Sequence, residues 1–357
     1  MHRTFFTLLM AIFMAHPVFS QEMEDFFEPK TTLGGYGDIH YNYNQTESGK
    51  SSKTLDFHRF VLYLSHAWTE NWSFLSELEM EHNYVENGQG SIQLEQAYLN
   101  YHFNPMLGIQ AGVLLTAMGL INENHEPTLF LSVERPEYAK SIIPTTWYGN
   151  GIGFYGFYNG FDYRLNIMEG LNGAKISNSS GIRSARQQGF KSNAEELLYN
   201  ARIDYLSIPG LKFGTSVAYN NAVVTDSTNT PVTMYEAHAQ YNAHNIYTTF
   251  EYGNISYAEG ELEQSMGYYF DLGYNIASLF SDEIKLVPWL RWSDLNTSAS
   301  TISAGTSEEV NHYTSWKVGL FFQPHQKVVL KADYGFKTKE SDKSETTLFN
   351  LGAGYLF

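Results

Sequence analysis

Residues 328–337 read VVLKADYGFK, and residues 349–357 read FNLGAGYLF. In the first, Val328, Leu330, Ala332, Tyr334 and Phe336 alternate with Val329, Lys331, Asp333, Gly335 and Lys337. In the second, Phe349, Leu351, Ala353, Tyr355 and Phe357 alternate with Asn350, Gly352, Gly354 and Leu356. A strand puts successive side chains on opposite faces, whereas a 3.6-residue helical period would smear both stripes around the axis. One face is greasy; the other carries charge, Asn and Gly. That is the dyad of a strand with hydrocarbon outside and water inside.

Working upstream, the same period recurs at 211–219, where Leu211, Phe213, Thr215, Val217 and Tyr219 share a face, and at 268–276. Segments of this kind lie near 33–43, 54–67, 72–85, 92–103, 107–117, 149–158, 161–169, 197–206, 211–221, 233–242, 246–257, 266–276, 284–295, 311–323, 327–339 and 346–357. They make about sixteen strands, an even number in the range of outer-membrane barrels. The connections sort by length. Short turns, such as Asn104-Pro105-Met106, Asn159-Gly160 and Ala243-His244-Asn245, alternate with connections at 44–53, 86–91, 118–148, 170–196, 222–232, 258–265, 296–310 and 340–345. The expected fold is therefore all-β: a transmembrane antiparallel up-and-down β-barrel with long external loops, short periplasmic turns and both termini in the periplasm.

Composition agrees. Tyr (26), Phe (24) and Gly (29) are abundant in a chain of 357 residues, and charged residues make up 17 %. A net charge of −16 excludes phosphate-driven nucleic-acid binding, and the absence of cysteine removes thiol chemistry, disulfides and Cys-based metal sites. Met1-His2-Arg3 followed by the apolar run Phe5–Met14 reads as a signal peptide over 1–20, cut after Ser20. A short periplasmic segment, 21–32, then leads into a barrel over 33–357.

Inward positions carry both signs. The expected lumen wall includes Arg59, Glu77, Glu79, Glu81, Arg202, Arg291, Lys317 and Lys331. Glu77, Glu79 and Glu81 form either a cation-attracting stripe or a wall satisfied by nearby arginine and water. The connection 118–148 is too long for a link and unusually apolar, with Pro127, Pro136 and Pro144 among Leu129, Phe130, Leu131, Ile142 and Ile143. Inside a barrel such a loop is buried in the lumen as a constriction, whose ionisable groups would be Glu123, His125, Glu126, Glu134, Arg135, Glu137 and Lys140. The alternative is an external loop packed on its neighbours or on another subunit.

Several stretches resemble the outer-membrane porins grouped as the phosphate-selective porin O and P family. They are the signal peptide, GGYGDIHYNY (34–43), DFHRFVLYLSH (56–66), SFLSELEMEH (73–82), LEQAYLNY (94–101), INENHEPTLFLSVERPE (121–137), IIPTTW (142–147) and the final Phe357. The resemblance implies a sixteen-stranded outer-membrane pore, commonly trimeric, with the third external loop folded inward. Phosphate selectivity there rests on a ladder of lysines and arginines. Here the loop offers only Arg135 and Lys140 among four glutamates, so that specificity is not carried over.

The sequence thus points to a passive channel for small hydrophilic solutes or ions, resident in outer-membrane lipid, forming a homotrimer, and neither an enzyme nor a nucleic-acid binder. No catalytic residues, cofactor or metal are expected: there is no G-x-S-x-G elbow and no H-E-x-x-H helix. His125-Glu126 beside Glu123 is a conceivable cation cluster, but Pro127 follows at once. Two other readings stand beside the channel. One is a surface-binding or adhesion barrel acting through 170–196 and 296–310; the other is a barrel hydrolase with a rim Ser-His or Asp-His pair.

Overall fold

The computed structural model describes residues 27–87, 89–303 and 309–357. The segment read as a signal peptide lies outside the described residues, as do residues 21–26. Sixteen antiparallel strands follow in chain order. They are β1 (Lys30–Thr46), β2 (Ser51–Ala67), β3 (Trp72–Glu86), β4 (Gln89–Asn104), β5 (Leu107–Leu115), β6 (Tyr148–Tyr158), β7 (Phe161–Glu169) and β8 (Leu197–Tyr205). The second half comprises β9 (Leu211–Thr225), β10 (Thr228–Ala243), β11 (Ile246–Tyr257), β12 (Leu262–Tyr274), β13 (Lys285–Thr301), β14 (His312–His325), β15 (Val328–Lys339) and β16 (Glu345–Leu356). Each strand pairs with its chain neighbours, and β16 pairs with β1, so the sheet closes with no free edge. Among the described residues no helix is long and apolar enough to cross a membrane.

The two stripes of β15 land as their chemistry requires. Val328, Leu330, Tyr334 and Phe336 face outward and are exposed, while Val329, Lys331 and Asp333 are buried inside. Aromatic residues ring the outside near the turns on the side of the termini. Trp72 packs 4.7 Å from Tyr101, which packs 4.6 Å from Phe103, and Phe161 and Tyr205 lie 4.9 Å apart. Such girdles sit where hydrocarbon meets headgroups.

Two of the expected loops are largely strand. Strands extend into 44–53 and 222–232, leaving connections of only 47–50 and 226–227. The polar residues there prolong the hairpins instead of forming free loops. The size difference between the two ends therefore rests on 116–147 and 170–196, because 302–311 is no longer than 275–284 at the other end. The apolar core is inside the lumen. Met118, Tyr138, Ile142, Ile143 and Trp147 pack with Leu171, Ile182 and Ala185 against wall residues such as Leu198, Met234, Ile255, Tyr269 and Leu295.

Candidate functional site

The connection between β5 and β6 turns inward, and its neck is tied shut. Thr116 N–H donates to Trp147 O at 2.8 Å. The buried Asn122 amide donates to Thr116 O (2.8 Å) and Trp147 O (2.9 Å) while its oxygen accepts from Trp147 N (2.9 Å). A single helical turn, α1 (Tyr138–Ser141), fills the middle of the loop and is closed by Thr145, whose N–H donates to Ala139 O at 2.7 Å.

A loop buried this way must find partners for its backbone, and the charged wall supplies them. Glu251 on β11 accepts from Leu120 N at 2.9 Å, and Asp333 on β15 accepts from Val133 N at 2.8 Å. Arg202 on β8 donates to Gly119 O at 2.7 Å, and Lys331 donates to Ser132 O at 2.8 Å. Two lumen-face glycines of β16 provide room. A Cβ on Gly354 would lie 2.7 Å from Pro127 Cβ, and one on Gly352 would lie 2.8 Å from Val133 Cγ1.

Three loop glutamates are neutralised by the wall. Glu123 is shared by Arg164 and Arg202, the latter at 2.9 Å. Glu134 accepts from His40 Nδ1 at 2.9 Å and from Asn42 at 3.0 Å. Glu137 lies 3.0 Å from Lys337 and 3.8 Å from Lys317. Burial alone would push the carboxyls of Glu134 and Glu137 up. The donors around Glu134 and the two lysines at Glu137 outweigh it, holding both below the usual carboxylate range. Arg135 donates to Thr145 Oγ1 at 3.1 Å and has no carboxylate partner among the described residues, and Lys140 is exposed. Glu126 keeps one buried oxygen without a hydrogen-bond partner. His125 turns away from Glu123, toward the β3–β4 wall.

The wall bases are paired in turn. Arg59 reaches Asp38 at 3.4 Å. Arg291 clasps Asp271 with two bonds of 2.6 Å, donates to Ser132 Oγ at 2.8 Å, and lies between Tyr269 and Trp289, 5.2 and 5.6 Å from their ring centres. Lys331 sits 3.8 Å over the Phe130 ring. Of the acidic stripe, Glu81 accepts from Ser91 at 3.2 Å and Glu77 from Gln96, whereas both oxygens of Glu79 are buried without hydrogen-bond partners.

Sequence reasoning missed a second inward segment. Residues 170–196 fold over the 118–148 loop instead of projecting outward. Arg186 donates to Thr146 O at 2.8 Å and to Thr145 O, Arg183 donates to Lys140 O at 3.3 Å, and Ile182 and Ala185 are fully buried. The apolar spacing Leu171, Ile176, Ile182, Ala185 inside a polar loop was the available signal. Also missed was Glu95, which faces the lumen although alternation counted back from Leu99 and Ala97 would turn it to lipid. A bulge opposite Glu77/Leu78 shifts the register there.

Comparison with known proteins fits this architecture. A profile of the phosphate-selective porin O and P family matches residues 33–284. An uncharacterized protein of Aquifex aeolicus is 31% identical over 350 residues, spanning 91% of this chain and 80% of its own. The chain belongs to the phosphate-selective porin O and P family. Solved porins share its fold at low sequence identity. The anion-selective porin from Comamonas acidovorans superposes with a TM-score of 0.62 at 13% identity, covering 92% of this porin and 100% of that chain. OmpF of Salmonella typhi, solved in complex with daunomycin, gives 0.63 at 13% identity over 92% and 97% of the two chains. The trimer form of OmpT from Vibrio cholerae gives 0.60 at 11% over 92% and 99%. This porin is an outer-membrane diffusion channel.

Proposed function

We propose that this porin conducts small polar solutes and ions of either sign, with weak charge preference and without chemistry, through a lumen narrowed by 118–148 and capped by 170–196. The pairing of the wall bases carries this reading. Arg59, Arg202, Arg291, Lys317 and Lys337 each contact a carboxylate, so they do not form a free cationic ladder for phosphate. Paired charges around a wet lumen set up transverse fields that orient small dipolar solutes rather than select one ion. The constriction groups are Glu123, His125, Glu126, Glu134, Arg135, Glu137 and Lys140. In this reading 1–20 is removed on export, the short segment after it leads into β1 at Lys30 rather than after residue 32, and both termini are periplasmic. The trimeric relative supports a homotrimer.

The test is reversal potential in planar bilayers under a KCl gradient. One uncompensated charge acting at about 7 Å through water is worth 332/(80 × 7), about 0.6 kcal/mol, or roughly a threefold change in local ion concentration. A cation/anion permeability ratio within about threefold of unity, with no block by phosphate, is expected. Strong anion preference with phosphate block would overturn the reading.

A further inference from the structure

Glu77 and Glu79 of β3 and Glu95 of β4 are 0% exposed, and His125 of the constriction loop is 2% exposed. Three buried carboxylates meet one imidazole here. Arg59, the guanidinium beside them, reaches Asp38 through one terminal nitrogen at 3.4 Å, while its buried Nε has no hydrogen-bond partner. Oε1 of Glu77, both oxygens of Glu79, both of Glu95 and Nε2 of His125 have no hydrogen-bond partner. Three buried carboxylates against one imidazole, with these atoms making no hydrogen bond, are costly unless a further cation gathers them.

The geometry around His125 is that of a ligand. Its Nδ1 lies 2.9 Å from Asn122 O, and a carbonyl can only accept, so Nδ1 carries the proton and Nε2 presents a lone pair in the neutral ring. Such a carbonyl partner is the usual orienting contact of a metal-bound histidine. Nε2 is 3.6 Å from Glu77 Oε1 and 3.4 Å from Glu95 Oε2, and the three ligand atoms lie within 4.8 Å of one another. These distances exceed the usual N–H···O length of about 2.7–3.2 Å. They match the edge of a tetrahedron with metal–ligand bonds of about 2.0–2.1 Å, which is about 3.3–3.4 Å. The β4 bulge serves the same arrangement. It places Glu95 and Gln96 both on the lumen side, so Gln96 orients Glu77 while Glu95 completes the group.

Two other histidine groups nearby are already satisfied. His40 is bonded to Glu134 at 2.9 Å, and Asp56 accepts from His82 at 2.7 Å and from His58 at 3.1 Å. We propose that Glu77, Glu95 and His125, with Glu79 beside them, bind one divalent transition-metal cation of the zinc type, clipping the constriction loop to the β3–β4 wall. Imidazole with carboxylates favours such an ion over calcium. The site is sealed from the water path, so its role is to hold the loop.

The test uses the full-length folded porin in detergent, stripped with chelator and then titrated with ZnCl2 or CoCl2. It is independent of conduction. The expected result is one equivalent per chain retained through desalting, intense visible bands from low-coordinate Co2+, and a higher thermal midpoint with Zn2+ than with EDTA. E95Q and H125Q should each weaken Zn2+ binding by more than about tenfold, while E70Q, in an exposed turn, should not. Should the variants fail to fold, the stoichiometry, Co2+ spectrum and EDTA shift of the native porin still decide. Failure of the native porin to retain metal, or equal retention by E95Q and H125Q, would overturn the proposal.

Discussion

Arg291→Met isolates a buried ion pair between neighbouring wall strands that also touches the loop at Ser132. The guanidinium is buried, holds Asp271 with two bonds of 2.6 Å, and reaches Ser132 at 2.8 Å. Removing it leaves Asp271 buried and uncompensated, a loss of about 3–5 kcal/mol when one partner of a buried pair is deleted. Ser132 contributes little to that figure, because its hydroxyl also donates to Glu134 O at 2.6 Å. The methionine keeps part of the contact with Tyr269 and Trp289. Asp271→Leu should cost a similar amount, since it strands the guanidinium. The double variant Asp271→Leu/Arg291→Met removes both charges at once, and apolar replacement of a buried pair is often close to neutral. A double-mutant cycle should therefore give a coupling of at least about 3 kcal/mol. The assay is reversible urea unfolding in lipid vesicles, followed by far-ultraviolet circular dichroism, with single-channel recording beside it. Arg291→Met alone should add conductance flicker as the loop centre loosens. A loss below about 1 kcal/mol for Arg291→Met, or a double variant as damaged as the two singles together, would refute the pairing as the source of the stability.

Other outcomes follow from the same contacts. Glu123→Gln leaves Arg164 and Arg202 without their shared loop carboxylate, so the reversal potential should move toward anions by up to about threefold in permeability ratio; an unchanged potential would place Glu123 off the ion path. Arg186→Ala removes two bonds from a charged donor to loop carbonyls, each worth about 1.5–3 kcal/mol, and should raise mean conductance as 170–196 lifts; constant conductance would show that segment lies clear of the passage. The Glu137 carboxyl is held below its ordinary value by Lys317 and Lys337. A lowered value in the folded state means its tether is fully present above the unfolded pKa, about 4.3, and is lost as pH falls through the lowered one. Single-channel current should therefore be steady from about pH 8 to 5 and grow noisy only in stronger acid, with Glu137→Gln noisy at neutral pH; noise rising already near neutrality in the native porin would contradict this.

The barrel was legible because lipid enforces a strict two-residue period, as in 328–337 and 211–219, and because Asn159-Gly160 and its counterparts mark the hairpins. Charge on the inner stripe was legible for the same reason. What each charge does was not. Glu123, Glu134 and Glu137 read in sequence only as ionisable groups of a constriction, because their partners Arg202, His40 and Lys337 lie on strands far away in the chain. Glu95 was hidden by a bulge, which shifts the alternation without any glycine or proline at the shifted residue. The segment 170–196 reads as polar because its few apolar residues are spaced by turns, and turns look alike whether they face solvent or a lumen.

The order in which the barrel can be completed follows from the glycines of β16. Pro127 and Val133 rest on Gly354 and Gly352, and Glu134 grips His40 on β1, so the loop abuts both strands of the seam that closes the sheet. Closing that seam and seating the loop are therefore coupled. The last pairing is made against the loop's surface, which serves as a mandrel, and a methyl group added at Gly354, 2.7 Å from Pro127 Cβ, should slow barrel closure while leaving the sixteen strands unchanged.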